Sequence, residues 1–186
     1  MLRLESLKAI GFKRLQIVES FTFPQGRLLI HGANESGKST ILEAIHYALY
    51  GMGLRPDRRA SNDDLINYDL PEAVVELKFS IDENSYLVKR VLKRDKTNVH
   101  SLEIEKTDGK RERITGARDV NNAILEDLHG IDSDALLNSC LVEQKELGKL
   151  EDATRSERIR CMTSLLNLET FVDASDEIKK ARRTLE

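Results

Sequence analysis

The residues with the clearest chemical potential form one short segment, Gly32-Ala33-Asn34-Glu35-Ser36-Gly37-Lys38-Ser39. Their spacing matches the phosphate-binding loop G-x-x-x-x-G-K-[ST], in which backbone N–H groups surround a phosphate and a helix begins directly after the loop. In such a loop Lys38 neutralises charge on the β- and γ-phosphates, and the Ser39 hydroxyl binds Mg²⁺. The pattern predicts a site for a nucleoside triphosphate; the alternative is a glycine-rich turn that carries a lysine by chance.

The segments on either side of the loop favour the first of these alternatives. A phosphate-binding loop follows a buried strand and precedes an amphipathic helix. The run Leu28-Leu29-Ile30 predicts the strand, and Gly51 and Gly53 can end the helix. Within the helix, apolar residues recur at helical spacing at Ile41, Leu42, Ala44, Ile45, Ala48 and Leu49. His46 lies within that apolar face, so we expect it in the core rather than in a metal site.

Composition limits the classes of protein to consider. The 186 residues are 40% hydrophobic and 33% charged, with a formal net charge of −3. The charged fraction is above the usual quarter, which indicates a long solvated helix or a charged binding face. The small net charge means that any binding of nucleic acid would depend on a local patch. No run approaches 18 consecutive apolar residues, so we expect no membrane span and an intracellular, cytoplasmic protein.

The elements around the loop predict a sheet with helices. Two strands precede the loop, one over residues 2–12 and one around Phe21 and Phe23. Residues 52–72 lack periodicity and predict a loop region. Four further segments, 73–81, 86–92, 99–106 and one around Ile114, alternate between apolar and polar residues and are joined by turn signals, so they predict an antiparallel meander.

Helical patterns return in the last third of the chain. Val120, Ala123, Ile124 and Leu128 line one face of a helix that Gly130 can end, and another helix is expected from Asp132 or Ser133. Thr154 and Glu157 fit a capping box at the start of a long helix over 154–186. In it, a heptad pattern runs through Phe171, Ala174, Ile178, Ala181 and Leu185. This pattern predicts a coiled coil; the alternative is an amphipathic helix that packs on its own domain. We therefore divide the chain into residues 1–153 and 154–186.

The motif that should hold the magnesium-bound acid of such a site, Walker B, is missing from the sequence. The nearest candidate is Ala123-Ile124-Leu125-Glu126-Asp127, but its surroundings predict a helix, whereas the acid belongs at the end of a strand. No segment resembles the L-S-G-G-Q signature of ABC ATPases either. Either the remainder of the site lies on another segment, or the chain is a degenerate nucleotide-binding domain.

Taken together, these motifs resemble the N-terminal half of an SMC-like ABC ATPase (structural maintenance of chromosomes). Within that family the chain looks most like the SbcC-like DNA double-strand-break repair ATPases that partner the Mre nuclease. The resemblance covers the opening residues 2–14, the loop and helix over 32–45, the meander, Gln144 and the segment around Leu166. It implies an α/β fold with α+β character, namely an ABC-type head lobe with a mixed sheet, an antiparallel meander and a C-terminal coiled-coil helix.

The resemblance also implies roles for individual residues. Gly32 to Thr40 would hold the phosphates of ATP, Lys38 and Gln144 would be catalytic, and Ser39 and Gln144 would bind Mg²⁺. Lys13 and Arg14 match a basic site near the nucleotide, although isolated residues of this kind are more often solvated surface charges. Two positions depart from the family pattern, because Glu35 and Lys145 stand where glycine is common.

Partners follow from the same resemblance. The missing motifs are expected on a C-terminal half of the same ATPase, and a second head would complete a homodimer. An Mre-type nuclease and double-stranded DNA are the other expected partners, with the protein associated with the nucleoid or chromosome. Alternative functions are an ATPase of chromosome organisation, a small-molecule kinase with the same loop, and a scaffold locked by nucleotide.

Basic residues on the meander are candidates for contact with DNA. One group lies on a predicted strand and its turn, and the other lies on the neighbouring hairpin; they are Lys89, Arg90, Lys93, Arg94, Lys110 and Arg111. Such a face would give non-specific, salt-sensitive binding. The alternative, a sheet edge whose lysines protect it from aggregation, fits the sequence equally well.

Overall fold

The computed structural model describes residues 2–54, 62–133, 136–137 and 154–156. It divides into two units, Met1–Leu128 and His129–Glu186. The first unit contains the phosphate-binding loop and the complete described sheet, so it is the unit that positions the candidate site.

A six-stranded antiparallel sheet forms the frame of the first unit. The strands have the spatial order β2-β1-β3-β4-β5-β6. Their bounds are β1 Leu2–Phe12, β2 Leu15–Thr22, β3 Glu72–Ile81, β4 Asn84–Lys93, β5 Val99–Glu105 and β6 Arg111–Thr115. The two strands before the loop and the four-stranded meander are therefore confirmed. All five strand pairings are antiparallel, so the parallel pairing of a mixed sheet is not found among the described residues.

The period-2 pattern of the sequence determines which face of the sheet is buried. In β3 every second residue from Ala73 to Ile81 is buried, and β4 repeats the pattern with Tyr86, Val88 and Leu92. Successive side chains of a strand point to opposite faces, so this alternation places one apolar layer against the helices. Phe79 and Tyr86 are cross-strand partners whose rings stack with centroids 5.1 Å apart.

Two helices pack against the sheet. Helix α1 spans Lys38–Tyr50 and contacts β1, β3 and β4, whereas α2 spans Ala117–Asp127 and contacts β5 and β6. Gly51 ends α1 in the left-handed conformation, with φ of 70°, and its N–H donates to the Tyr47 carbonyl. His46 is buried, as expected for a core residue, and its Nδ1 lies 3.0 Å from the Met52 carbonyl oxygen.

The predicted strand before the phosphate-binding loop is wrong for the described structure. Residues 28–30 form no strand, and Leu28 and Leu29 are 42% and 83% exposed. A buried strand needs neighbours that pair with its backbone and cover its side chains. Among the described residues no strand pairs with this segment, which leaves an apolar run exposed.

The segment that comes nearest to a Walker B motif, residues 123–127, lies in a helix. Residues 123–127 form the last turns of α2, and Val120 and Ile124 are its buried residues. An acid here is held on a helix rather than at a strand end, as the sequence indicated. A short 3₁₀ helix, Asn62–Leu65, precedes β3.

In the second unit the described residues are few. The Leu136 N–H donates to the Asp132 carbonyl over 3.0 Å, which confirms the helix start predicted at Asp132 or Ser133. Arg155 and Ser156 are helical directly after Thr154. The heptad residues and Glu157 lie outside the described residues, so the coiled coil remains a prediction. None of the described helices combines the length and apolarity that a membrane span requires.

Candidate nucleotide-binding site

The phosphate-binding loop turns sharply into α1 at Gly37. Gly37 has φ of 90°, a conformation that residues with a Cβ atom rarely adopt. A Cβ atom there would also approach Leu15 Cδ2 to 3.2 Å. The turn within the loop is supported by the Ser36 N–H, which donates to the Ala33 carbonyl over 3.3 Å. The second glycine of the motif therefore suits the backbone conformation, and any side chain there would also press against Leu15 of β2.

The N-terminus of α1 is suited to an anion. Its N-cap is Gly37, with no side chain that accepts from the first turn, and that turn contains no acidic residue. The first N–H groups of a helix have no partners within the helix, and the helix dipole adds positive potential at the same end. A phosphate could accept hydrogen bonds from these groups without displacing a side chain.

Lys38 holds its ammonium group close to the loop. Its Nζ donates to the carbonyls of Gly32 and Ala33, over 3.0 and 2.6 Å. An ammonium has three N–H donors, so one remains for another acceptor. The sequence predicted this lysine as a phosphate ligand, and the geometry places its charge over the loop that would hold the phosphate.

Arg14 and Glu35 form an ion pair beside the loop. Arg14 Nη1 lies 3.3 Å from Glu35 Oε2, and the two side chains are 74% and 82% exposed. Glu35 has φ of 63°, which explains why glycine is common at this position: glycine reaches the left-handed region at no steric cost. An exposed pair of this kind is worth at most about 1 kcal/mol, so a ligand can separate it.

Lys13, in the turn between β1 and β2, is held more firmly. Its Nζ donates to both carboxylate oxygens of Glu43 on α1, over 2.5 and 2.6 Å. The Glu43 side chain is only 9% exposed, whereas that of Lys13 is 30% exposed. Lys13 is therefore not an isolated surface charge.

These residues line one cavity of about 740 Å³, a size typical of ligand sites. The predicted residues that line it are Lys13, Arg14, Glu35, Gly37, Lys38, Ser39 and Thr40. Gly32, Ala33, Asn34 and Ser36 belong to the loop but are not among the lining residues. Gln144 and Lys145 lie outside the described residues.

Sequence reasoning missed a second wall of the cavity. That wall is contributed by Asp64, Ile66, Asn67, Tyr68 and Asp69. Backbone pairing brings it to the site, because the Asn67 N–H donates to the Gly11 carbonyl and Ile66 bridges to Phe12. The segment shows no periodicity, and its pairing partner is far away in sequence, so no local signal could have identified it.

Arg90, predicted to contact DNA, has a different role. Its side chain is fully buried, with Nε donating to the Ala48 carbonyl and Nη2 to the Leu49 carbonyl, over 2.7 and 3.0 Å. Asn121 Oδ1 and His100 Nδ1 lie 2.8 and 3.2 Å from the guanidinium. The prediction is wrong because Arg90 falls in the buried phase of β4. Burial lowers the pKa of Arg90 to about 10, so it remains charged at neutral pH.

Four of the five other DNA candidates have side chains engaged in local contacts. Arg94 donates to the carbonyls of Leu70, Ile66 and Asn67 and so supports the cavity wall. Ion pairs join Lys89 to Glu76, Lys110 to Asp108 and Arg111 to Glu105. These pairs reduce the positive charge that the surface offers to a phosphate backbone.

Comparison with known proteins now adds the family. The sequence model of the AAA domain family matches residues 6–186. The chain belongs to the AAA domain family. This AAA domain is 33% identical over 88% of its length to a Methanopyrus kandleri protein described as a DNA double-strand break repair Rad50 ATPase. It is 29% identical over 90% of its length to a protein of the same description from Methanocaldococcus jannaschii.

A bacterial relative agrees with these matches. The AAA domain is 32% identical, over 83% of its length, to a Bacillus subtilis protein described as part of the nuclease SbcCD. The aligned regions span 18%, 16% and 14% of the three relatives, so the chain covers less than a fifth of their length.

A solved structure gives the same result for the fold. A structure from work on ATP-driven dimerization and DNA-stimulated activation of SMC ATPases matches with a TM-score of 0.66 and 25% identity. The match covers 88% of this AAA domain and 99% of that chain. These findings confirm the predicted resemblance to SMC-like, SbcC-like ATPases and the α/β fold of a P-loop NTPase head.

Proposed function

We propose that this chain is the ATP-binding N-terminal portion of a DNA double-strand-break repair ATPase of the Rad50 and SbcC kind. One observation carries the proposal: the loop residues Lys38 and Ser39 share a cavity with the basic pair Lys13 and Arg14. A nucleoside triphosphate needs cationic side chains and free N–H groups at its phosphates, and this cavity offers both. The descriptions of the relatives as Rad50 ATPases support ATP as the nucleotide.

Magnesium is part of this proposal. Among the described residues, three basic side chains line the cavity, and three acidic side chains, Glu35, Asp64 and Asp69, balance their charge. The protein alone therefore does not neutralise a triphosphate, and a divalent cation bound with the nucleotide would supply the balance. The Ser39 hydroxyl is the kind of oxygen ligand that Mg²⁺ accepts. We propose Gln144 as a second ligand that also orients the attacking water.

The site is proposed to be composite. The exposed apolar run at Leu28 and Leu29 supports a missing sheet neighbour, because burying these side chains would remove apolar surface from water. A C-terminal half of the same ATPase would supply that neighbour together with Walker B and the catalytic acid. On this basis the 186-residue chain alone binds ATP but hydrolyses it poorly, and robust turnover by the purified chain would contradict the proposal.

In the whole protein, ATP would act as a switch. A second head would contact the γ-phosphate across a homodimer, and hydrolysis would remove that contact and release the heads. The description of the Bacillus subtilis relative as a subunit of a nuclease supports a nuclease partner. We propose that this partner is of the Mre type and that the complex acts on double-stranded DNA at the chromosome. The structural match to SMC ATPases favours a chromosome-organisation ATPase as the second candidate.

Titration of the chain with Mg²⁺-ATP tests the central step. We expect Lys38→Met to weaken binding at least about tenfold, because a charge-assisted contact to phosphate is lost. Lys96→Met is the matched control, since Lys96 is exposed and does not line the cavity. Equal affinity of the Lys38→Met variant and the unmodified chain would contradict ATP binding at this loop.

A further inference from the structure

The Lys13–Glu43 ion pair connects the turn after β1 with the helix that follows the phosphate-binding loop. Both Glu43 oxygens accept from one ammonium, at 2.5 and 2.6 Å. Glu43 is buried and is not among the residues that line the cavity, whereas Lys13 lines it. The Glu43 carboxylate is therefore buried, whereas the lysine that it binds reaches the cavity.

The backbone of Lys13 is fixed as firmly as its ammonium. Its N–H donates to the Leu65 carbonyl over 2.7 Å, and its carbonyl accepts from Asn67 Nδ2 over 2.7 Å. Its φ of 50° lies in the left-handed region, which is uncommon for a lysine. Unusual backbone conformations persist where surrounding contacts enforce them, and they concentrate at functional sites. A side chain tethered at both ends has lost most of its rotamer freedom before any ligand arrives.

The hydrogen-bonding capacity of the ammonium limits what Lys13 can still bind. A lysine ammonium has three N–H donors and no acceptor. Two of the donors go to Glu43, so one remains, on a side chain that is 30% exposed and lines the cavity. We propose that Glu43 is a positioning residue, which holds the Lys13 ammonium beside the phosphate-binding loop so that its third donor binds a phosphate oxygen of the nucleotide.

This inference rests on the proposed function, namely that a nucleoside triphosphate binds in this cavity. For the removal of Glu43, it predicts a change in nucleotide affinity that is opposite to the change expected from charge repulsion alone. Removing any acid near a triphosphate should strengthen binding, because one repulsive charge disappears. Removing a positioning acid should weaken binding, because the lysine it holds becomes mobile.

Glu35 provides the matched control for charge. It is an exposed acid that lines the cavity, and its Oε2 pairs with Arg14 at 3.3 Å. Glu35→Gln and Glu43→Gln each remove one negative charge from the same site. We expect Glu35→Gln to tighten Mg²⁺-ATP binding about twofold. We expect Glu43→Gln to weaken it about tenfold, since the glutamine has one acceptor and its NH₂ group faces the ammonium.

A second variant at Glu43 allows the test to be made even if Glu43→Gln does not fold. Glu43→Asp keeps the charge but withdraws the carboxylate by one methylene, about 1.5 Å. We expect it to remain folded and to weaken Mg²⁺-ATP binding about threefold. Thermal unfolding without nucleotide, measured for every variant, separates a loss of stability from a loss of affinity.

A double-mutant cycle identifies Lys13 as the residue through which Glu43 acts. In a Lys13→Met background, Glu43→Gln should no longer weaken binding, because no ammonium is left to position. Calorimetry of the intact gene product with Mg²⁺-ATP gives all affinities. If Glu43→Gln and Glu43→Asp bind ATP as tightly as the unmodified protein, or tighter, the positioning role is overturned. If the unmodified protein binds no ATP, the proposed function fails instead.

Discussion

Two buried or half-buried cations hold the helix that follows the phosphate-binding loop, and they do so in different ways. Lys13 reaches the first half of α1 through the carboxylate of Glu43 and still lines the cavity. Arg90 reaches the last turn through the carbonyls of Ala48 and Leu49 and is sealed from solvent. One cation is balanced by an acid, and the other by the negative end of a helix dipole.

The difference shows what makes a cation available to a ligand. The Arg90 guanidinium donates to the carbonyls of Ala48 and Leu49 and to the Asn121 side chain. Its Cζ also lies 6.0 Å from the centroid of the Tyr47 ring. Gly51 is required at this end, because a Cβ atom there would approach Arg90 Nη1 to 2.9 Å. Lys13 retains a free donor and partial exposure. The same positive charge is structural in one place and suited to ligand binding in the other.

Removing Arg90 should have the largest effect on stability. Arg90→Met leaves the Ala48 and Leu49 carbonyls and Asn121 without their donor, and we expect a loss of about 3–5 kcal/mol in the free energy of unfolding. Lys89→Met, at the adjacent exposed position of β4, is the control and should change stability by less than about 0.5 kcal/mol. Urea unfolding measures both values. Similar losses for the two variants would remove the distinction between the faces of β4.

Replacing Lys13 should lower the stability less than replacing Arg90 does, but it should lower the affinity for Mg²⁺-ATP more. Lys13→Met strands the Glu43 carboxylate, and we expect a loss of about 1–2 kcal/mol, since the lysine is partly exposed. The double variant Lys13→Met with Glu43→Met should recover that stability, because an apolar pair can replace a buried ion pair. It should not recover affinity for Mg²⁺-ATP. Recovery of both properties, by urea unfolding and calorimetry, would show that this pair is purely structural.

The parts of the fold that follow local patterns could be predicted from the sequence, whereas the parts that depend on distant segments could not. Loop, helix and meander follow from local patterns, and Lys13, which the resemblance places near the nucleotide, lines the same cavity as Lys38 and Ser39. Arg90 shares the strand phase of the buried residues Val88 and Leu92, so its position in β4 indicates burial, although its charge suggests a surface contact. The wall at residues 64–69 and the exposed run at 28–30 depend on pairing with distant segments. Local periodicity carries no information on such partners.

Acid should loosen the Arg90 end of α1 selectively. Burial, and then the Arg90 guanidinium, lower the pKa of His100 below its ordinary value of 6.5. The unfolded chain therefore binds this proton more readily. The stability that neutral His100 contributes is complete above about pH 6.5 and is lost as the pH falls through the lower folded pKa. Because the arginine can only donate, His100 Nδ1 must be the acceptor, and protonation would end that contact.

Comparing urea unfolding at pH 7.5 and pH 5 tests this behaviour. His100→Asn is the informative variant, since its amide oxygen can accept from Arg90 but does not titrate in this range. We expect the unmodified chain to lose more stability between the two pH values than His100→Asn does. The same loss in both would show that other groups cause the pH dependence.

The smallest effects should come from the exposed cations of the meander, which complete the comparison. Lys89 is half exposed and pairs with Glu76 at 2.6 Å, so a DNA phosphate would have to compete with that acid. We propose that DNA contact involves Lys89, Lys93, Lys110 and Arg111, without the buried Arg90. Replacing Lys89 and Lys93 by glutamine should reduce the slope of log K against log salt by about 2, one unit for each phosphate contact.

The variant Glu76→Gln tests this expectation, because it should change the affinity for DNA in the opposite direction to Lys89→Gln. This change should strengthen DNA binding by about twofold, because the Lys89 ammonium no longer has to leave the Glu76 carboxylate in order to bind a DNA phosphate. Fluorescence anisotropy with a double-stranded DNA of random sequence, over a series of salt concentrations, gives the affinity and the slope. If Glu76→Gln and Lys89→Gln both leave binding unchanged, the outer face of the sheet is not a DNA surface. Its cations would then be solvated surface charges, in contrast to the buried Arg90 that stabilises the end of α1.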